Sequence, residues 1–426
     1  MSLNGASNVL RALKNRNYRL FFSAQAVSLT GLWMQRVALG WLVFRITNST
    51  RALGVIDFTS AIPSLFLSPL AGGLMARWDL RKALFITQVL LMLIAAVTGI
   101  LTLTNSINYT LLVVLSLLMG SVNAIDMPLR QSLVVYMVDK KEDVSNAVAL
   151  NSSLFNVARL IGPSIAGFTI YRVGEALCFL LNSMTYSATL FALRAMRMEH
   201  EAIAVSSGNR EGLRQTIGRG LVLLRAFPPF KYMLLLIACC SIFGFPYIVL
   251  MPSMASEVLG GTSKTMGLLL SAVGIGALSG SLLMAARKSP VGLDQWASRA
   301  TMLFGAFVAM FALSPKTWIA MIALAPAGFF MVTALIACNT FLQSLVEDEE
   351  RSRLMGIYIM CTVGIAPVGS LFTGQLAEMI GTQGALCVSG LLCILSSYYF
   401  FKKMEKSRQM ILRAYVKKGY NLKEAK

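Results

Sequence analysis

The sequence predicts an all-α integral membrane protein: twelve transmembrane helices arranged as two pseudo-symmetric six-helix bundles. Three observations carry that prediction. The 426 residues are 56% hydrophobic and only 13% charged, with a mean hydropathy of +0.67, which is more apolar sequence than a soluble core can hide. Apolar runs of about 20 residues, the length that crosses a bilayer, recur twelve times, at about 18–44, 52–76, 83–103, 109–130, 147–171, 175–194, 231–255, 266–286, 299–315, 317–342, 354–380 and 384–401. The cations between these runs alternate sharply from loop to loop.

That alternation decides what the net charge of +19 means. Arg11, Lys14, Arg16 and Arg19 precede or open the first run; Arg77, Arg81, Lys82, Lys140 and Lys141 follow on the same side, as does the tail from Lys402 to Lys426. The opposite side keeps Arg45, Arg51, Arg172, Lys264 and Lys316. This is the positive-inside pattern, so the basic charge reports topology and not a nucleic-acid partner. Both termini are expected in the cytoplasm. Trp41 and Trp318 near outer ends and Trp78 near an inner end fit interfacial belts. The first 17 residues are polar and basic, with no short apolar core of a cleavable signal.

Other functions are excluded in the same way. All seven Cys fall in apolar runs and read as small packing residues, with no disulfide or metal-ligand spacing, and no cofactor is implied. His200 is the only histidine and lies in a polar loop, which removes histidine-based catalysis. No Ser-Lys, paired-Asp or metal-binding set lies at membrane depth, so the chain does not read as an enzyme.

The expected divisions are a first bundle over 1–194, a cytoplasmic linker over 195–230, a second bundle over 231–401 and a basic tail over 402–426. Within the linker Leu213, Ile217, Leu221 and Leu224 share a face, with Arg210, Arg214, Arg219 and Arg225 elsewhere. That pattern suits a short helix on the inner leaflet; the alternative is a solvated linker. The halves echo each other in order: Arg130–Val134 (RQSLV) with Leu342–Val346 (LQSLV), Gly162-Pro163 with Ala366-Pro367, and Gly174–Cys178 (GEALC) with Gln383–Cys387 (QGALC). Together they mark a parallel duplication.

Charges inside the runs are few and are weighed singly. Arg159 lies about 12 residues into the fifth run, roughly 18 Å from its inner end and near the bilayer midplane. Around it Ala158, Gly162, Pro163, Ala166 and Gly167 form a row of small residues broken by a proline, which permits close helix approach and a bend. Close packing there is expected against the opposite half. Arg159 is either a planar donor fork for an anionic or phenolic ligand or a donor to backbone carbonyls at the kink. Arg36 sits about 8 residues, roughly 12 Å, below the outer end of the first run, and Asp57 about 5 residues, roughly 8 Å, below that of the second. Either they pin two helices together, or Asp57 is a protonatable switch beside a substrate-facing Arg36. Asp126 and Arg130, four apart, read as a gate or structural pair. Gln35 and Asn156 are the amides placed with the two arginines as substrate contacts, although such amides commonly bridge helices. Glu257 and Glu378, near outer ends, read as solvated.

The segments Asn15–Phe22 (NRNYRLFF), Gly31–Val43 (GLWMQRVALGWLV), Asp126–Ser132 (DMPLRQS), Asn146–Pro163 (NAVALNSSLFNVARLIGP) and Gly364–Gly369 (GIAPVG) resemble the major facilitator superfamily. Within it they look like the subfamily that includes the enterobactin (catecholate siderophore) exporters of bacterial inner membranes. The superfamily's antiporter signature G-x-x-x-G-P-x-x-G-G appears here as Ala158, Gly162, Pro163, Ala166 and Gly167. The inner-loop signature after the second helix keeps Arg81 and Lys82 but has Arg77 at the acidic position, with Asp79 nearby; in the family that loop latches the halves. Pro367 is the second half's counterpart of Pro163.

The resemblance implies a multi-pass transporter of a bacterial inner membrane, acting as a monomer among membrane lipids by alternating access. Without a phosphate-binding G-x-x-x-x-G-K-S/T loop, energy is expected from an ion gradient, protons by resemblance, with Asp57 as the coupling carboxylate. Export of a siderophore or similar anionic, amphipathic molecule is the leading reading. A transporter of lipids, lysophospholipids or hydrophobic drugs is the alternative, and a non-transporting membrane sensor or scaffold is the alternative of another class.

Overall fold

A computed structural model describes residues 11–74, 79–138, 140–197, 222–287 and 289–420, and among these no strand occurs. Six helices come first: α1 (Arg16–Thr47), α2 (Thr50–Leu74), α3 (Leu80–Leu103), α4 (Tyr109–Val135), α5 (Lys141–Val173) and α6 (Glu175–Ala195). After the linker follow α7 (Pro228–Val258), α8 (Ser263–Ala286), α9 (Leu293–Ala312) and α10 (Thr317–Leu345). The remaining spans are α11 (348–380) and α12 (382–406), one hydrogen-bonded run broken at Gly381, and a short α13 (Arg408–Lys417) closes the described chain. By length and composition nine of these runs can cross a bilayer, the last of them holding both α11 and α12, and α2 and α9 complete the twelve.

Two glycines turn equivalent corners. Gly174 joins α5 to α6 at φ 90, ψ 172, and Gly381 joins α11 to α12 at φ 79, ψ 160. A side chain would be strained in that region of backbone space, so glycine is required at both. Gly381 stands two residues ahead of the place where the sequence echo aligns Gly174.

Contacts divide the chain into two compact units: residues 1–48 with 59–208, and residues 49–58 with 209–426. In the first unit the segment Arg11–Lys14 clasps the N-terminal end of α5. The Ala12 amide donates to Asn146 Oδ1 at 3.0 Å, Arg11 meets Asp143 at 2.5 Å, and the Tyr18 hydroxyl donates to the Ala147 carbonyl at 2.8 Å. Tyr18, Phe21, Leu84, Leu129, Leu133 and Leu193 fill the apolar core at that end.

The second unit takes the N-terminal part of α2, where chain order alone would have ended the first bundle beyond it. The reason is a close helix crossing. A Cβ on Gly54 would stand 2.5 Å from the Ser370 carbonyl oxygen, and one on Gly374 would stand 2.7 Å from that of Thr50. Only glycines allow α2 and α11 to approach this closely.

Helix regularity is also lower in the second unit. α7 contains two π turns, Cys240–Gly244 and Met254–Val258, around a 3-10 turn at Phe245–Ile248. Pro246 and Pro252 lack the amide hydrogens that a regular helix would need there. α11 has a third π turn at Met360–Gly364. Pro367 lies near the middle of α11, in the first turn of the stretch that follows this irregularity, where its missing N–H is no loss. Within the basic tail, residues 402–406 extend α12, and α13 docks by burying Ile411 and Tyr415, whose hydroxyl donates to the Pro290 carbonyl at 2.8 Å. Of the linker, residues 198–221, including His200 and most of the amphipathic pattern, lie outside the described residues, as does Arg77 of the inner loop.

Candidate functional site

In the first unit, α1 and α5 bring both membrane arginines to one tryptophan. The guanidinium carbon of Arg36 lies 5.7 Å from the Trp33 ring centre, and that of Arg159 lies 6.0 Å from it. Phe155 meets the same ring edge-on at 5.6 Å. Arg36 is exposed, and Trp33, Phe155, Asn156 and Arg159 are half-buried. Trp33 Nε1 is a buried donor without an acceptor among the described residues. The result is two planar cations and two aromatic rings around one point, able to accept a flat, anionic or phenolic ligand by stacking and donated hydrogen bonds.

Sequence reasoning named the arginines but missed the rings. The signal was present: Trp33 is three residues before Arg36 and Phe155 four before Arg159, spacings that put each pair on one helix face. The helices meet because Gly162 is bare. A Cβ there would stand 2.5 Å from Trp33 Cβ, and Ala158, Pro163, Ala166 and Gly167 are buried with it. The close contact at Gly162 is made by α1 of its own unit.

The two amides differ from the arginines. Gln35 is 2% exposed; it donates to Met119 Sδ at 2.9 Å and accepts from Asn182 Nδ2. The void it lines is about 10 Å³, space for one water at most, so here Gln35 bridges α1, α4 and α6. Asn156 donates to the Ser152 carbonyl at 3.1 Å on its own helix, one residue from Phe155.

In the second unit, Asp57 accepts a 2.6 Å hydrogen bond from Ser370 Oγ on α11. About two turns further along α11, Glu378 accepts from Ser49 Oγ at 3.0 Å, Thr50 Oγ1 at 3.1 Å and the Arg51 amide at 3.3 Å. It therefore caps the positive end of α2, and is not simply solvated. Glu257 similarly accepts from Ser253 at 2.7 Å. An open polar cleft of about 280 Å³ lies elsewhere in this unit, lined by Asn339, Thr340, Gln343, Ser344 and Arg351.

At the inner end of α4, Asp126 is 2% exposed and fully engaged. Thr87 Oγ1 and Gln88 Nε2 both donate to its Oδ1 at 2.6 Å, and Arg130 Nε meets Oδ2 at 2.5 Å. In the inner loop, Asp79 caps α3 by accepting from the Arg81 and Lys82 amides. Arg81 in turn donates to the Leu193 carbonyl at 2.7 Å and the Arg194 carbonyl at 3.1 Å, closing the C-terminal end of α6. Lys82 lies 3.6 Å from Asp79.

Residues 7–413 match the transmembrane secretion effector family of major facilitator transporters. The chain belongs to that family. Such proteins move solutes and are not enzymes. Among curated relatives, the staphyloferrin A transporter of Staphylococcus aureus is 25% identical over 391 residues, covering 91% of this chain and 97% of that protein. The multidrug efflux pump Tap of Mycolicibacterium fortuitum is 21% identical over 364 residues, covering 84% and 88%. Among solved structures, a bacterial homologue of the human lysosomal transporter Spinster aligns with TM-score 0.72 over 96% of this chain and 99% of that one at 13% identity. A D-xylose–proton symporter aligns with TM-score 0.66 over 90% and 97% at 15% identity. These structures share the fold. A transmembrane secretion effector with this architecture is a multi-pass membrane transporter of small molecules.

Proposed function

We propose that the protein is a proton-coupled exporter, in a bacterial inner membrane with both termini cytoplasmic, of a siderophore or similar anionic, amphipathic small molecule. The observation that carries this is the convergence of Arg36 and Arg159 on Trp33. A guanidinium at membrane depth is costly and commonly marks a functional position, and two of them against one indole suit an oxyanion attached to a flat ring. A relative named for staphyloferrin A supports the substrate class. Asp57 is the coupling carboxylate of this reading, because it stands on α2 and accepts a hydrogen bond from the Ser370 hydroxyl of α11. A change of charge at this contact acts on the pairing of α2 with α11 in the proposed cycle.

Transport into inverted vesicles tests this. With Asp57→Asn, pH-driven accumulation of a siderophore is expected to vanish while counterflow exchange continues. Normal pH-driven flux in the variant refutes the coupling role. A second reading, efflux of hydrophobic drugs, is favoured by the Tap relatives; accumulation of lipophilic cations, with no competition from siderophores, selects it.

A further inference from the structure

Within the second unit α9 and α12 run side by side, Gly305 against Gly390, and each turns one exposed stripe outward. On α9 the stripe is Arg299, Leu303, Ala306 and Met310; on α12 it is Leu391, Leu395, Tyr398, Tyr399 and Lys402. Steps of three and four keep each set on one helix face. The chemistry changes in the same direction along both, aliphatic at depth and cationic at the end near residues 299 and 402, with tyrosines between on α12. That is the gradient of a bilayer leaflet, hydrocarbon to headgroup.

The cations at this end are held in place by rings. The Arg299 guanidinium carbon lies 5.9 Å from the centre of the Phe401 ring, which ties α9 to α12. Lys402 Nζ stands 5.7 Å from the Tyr398 ring and Lys403 Nζ 5.4 Å from the Tyr399 ring. Both tyrosines are more than half exposed. The only carboxylate in residues 391–406 is Glu405, 3.9 Å from Lys402 with both side chains about half exposed. Such a pair contributes little and leaves the patch positive.

We propose that this seam is a binding site for the phosphodiester headgroup of an anionic phospholipid in the adjoining leaflet. The Arg299 fork matches two phosphate oxygens in one plane, and the ammonium groups of Lys402 and Lys403 add point charges beside it. The tyrosines sit at the glycerol level, and the acyl chains lie along Leu303, Leu391 and Leu395. A basic recess between two membrane helices at the headgroup level is the arrangement that recognises anionic lipid.

The test titrates purified full-length protein in detergent with phosphatidylglycerol, phosphatidylcholine and glycerol phosphate, and reads bound lipid by native mass spectrometry. Phosphatidylglycerol is expected to bind in preference to the other two. The combined Arg299→Gln, Lys402→Gln, Lys403→Gln variant is expected to bind it roughly 100-fold more weakly, since each cation near a headgroup contributes about a fivefold factor. Arg413→Gln with Lys417→Gln on α13 removes similar charge elsewhere and is expected to leave affinity unchanged. The proposal fails if the triple variant binds as the wild type does, if the α13 variant loses as much, or if glycerol phosphate competes as well as the lipid. Should the triple variant not fold, Arg299→Gln alone is read: about a fivefold loss supports the site, and unchanged affinity overturns it.

Discussion

The helices that correspond in the two halves keep one plan and differ in where charge is placed. α5 carries Arg159 four residues before Pro163, while α11 carries Val363 four residues before Pro367. α4 ends on Asp126 and Arg130; aligned by the shared Q-S-L-V, α10 has Cys338 and Leu342, both fully buried. Conversely, the second unit holds the π turns, at Cys240–Gly244, Met254–Val258 and Met360–Gly364, with none among the described residues of the first. The corners at Gly174 and Gly381 stay alike because backbone geometry forces them. Charge diverges because a buried ion must keep its partners with it. Asp126 is tenable only with Thr87, Gln88 and Arg130 in place, so such a group is retained or lost as a set.

Grafting the second unit's pattern onto the first tests that idea with the largest expected effect. Arg130→Leu alone leaves the buried Asp126 carboxylate without its cation and is expected to cost about 3–5 kcal/mol. Adding Asp126→Cys, which completes the α10 pattern, is expected to recover most of that loss. Thermal unfolding in detergent measures both; a double variant no more stable than Arg130→Leu would show that the pair is not the unit of change.

A smaller effect is expected at the paired Gly-Pro and Ala-Pro positions. Gly162→Leu forces a side chain into Trp33 and is expected to destabilise by about 1–3 kcal/mol and to abolish ligand binding. Ala366 is half-exposed, and Ala366→Leu is expected to change stability by less than about 1 kcal/mol. Equal losses at the two sites would erase the distinction between the α5 and α11 faces.

The smallest effect concerns Asp294, in the first turn of α9 and outside the apolar run 299–315. Burial raises the Asp294 carboxyl above its ordinary range, against backbone hydrogen bonds and the nearby Arg408 and Arg287, which lower it. A raised folded value means that the native state holds the proton longer than the unfolded chain does. Stability from this group is therefore full below about pH 4 and declines as pH rises through the raised value. Asp294→Asn is expected to flatten that decline in a pH series of melting temperatures, and an unchanged slope would assign it elsewhere.

The number of spans, the loop charges and the duplication were legible because lipid imposes a strict length and polarity on each helix. The arginines of the candidate site were legible for the same reason, since apolar sequence makes each charge conspicuous. Gln35 was misjudged as a ligand contact because an amide at depth has two uses, and only the positions of Met119 and Asn182 separate them. Glu378 is exposed as expected, but its role as a cap was hidden because its partners, Ser49, Thr50 and Arg51, stand more than three hundred residues away. The transfer of residues 49–58 to the second unit depends on the same kind of long-range crossing, which glycine at 54 and 374 permits but does not announce.

The central claim is that Arg159 serves a ligand through its planar fork beside Trp33. Siderophore binding to purified Arg159→Lys, read by tryptophan quenching with melting temperature as the fold control, tests it most directly. Lys keeps the charge and loses the fork, so affinity is expected to fall roughly tenfold, the value of one charge-assisted hydrogen bond, with the melting temperature little changed. Unaltered affinity, with Arg159→Lys and Arg159→Ala both lowering the melting temperature, would make Arg159 a structural donor and contradict the account.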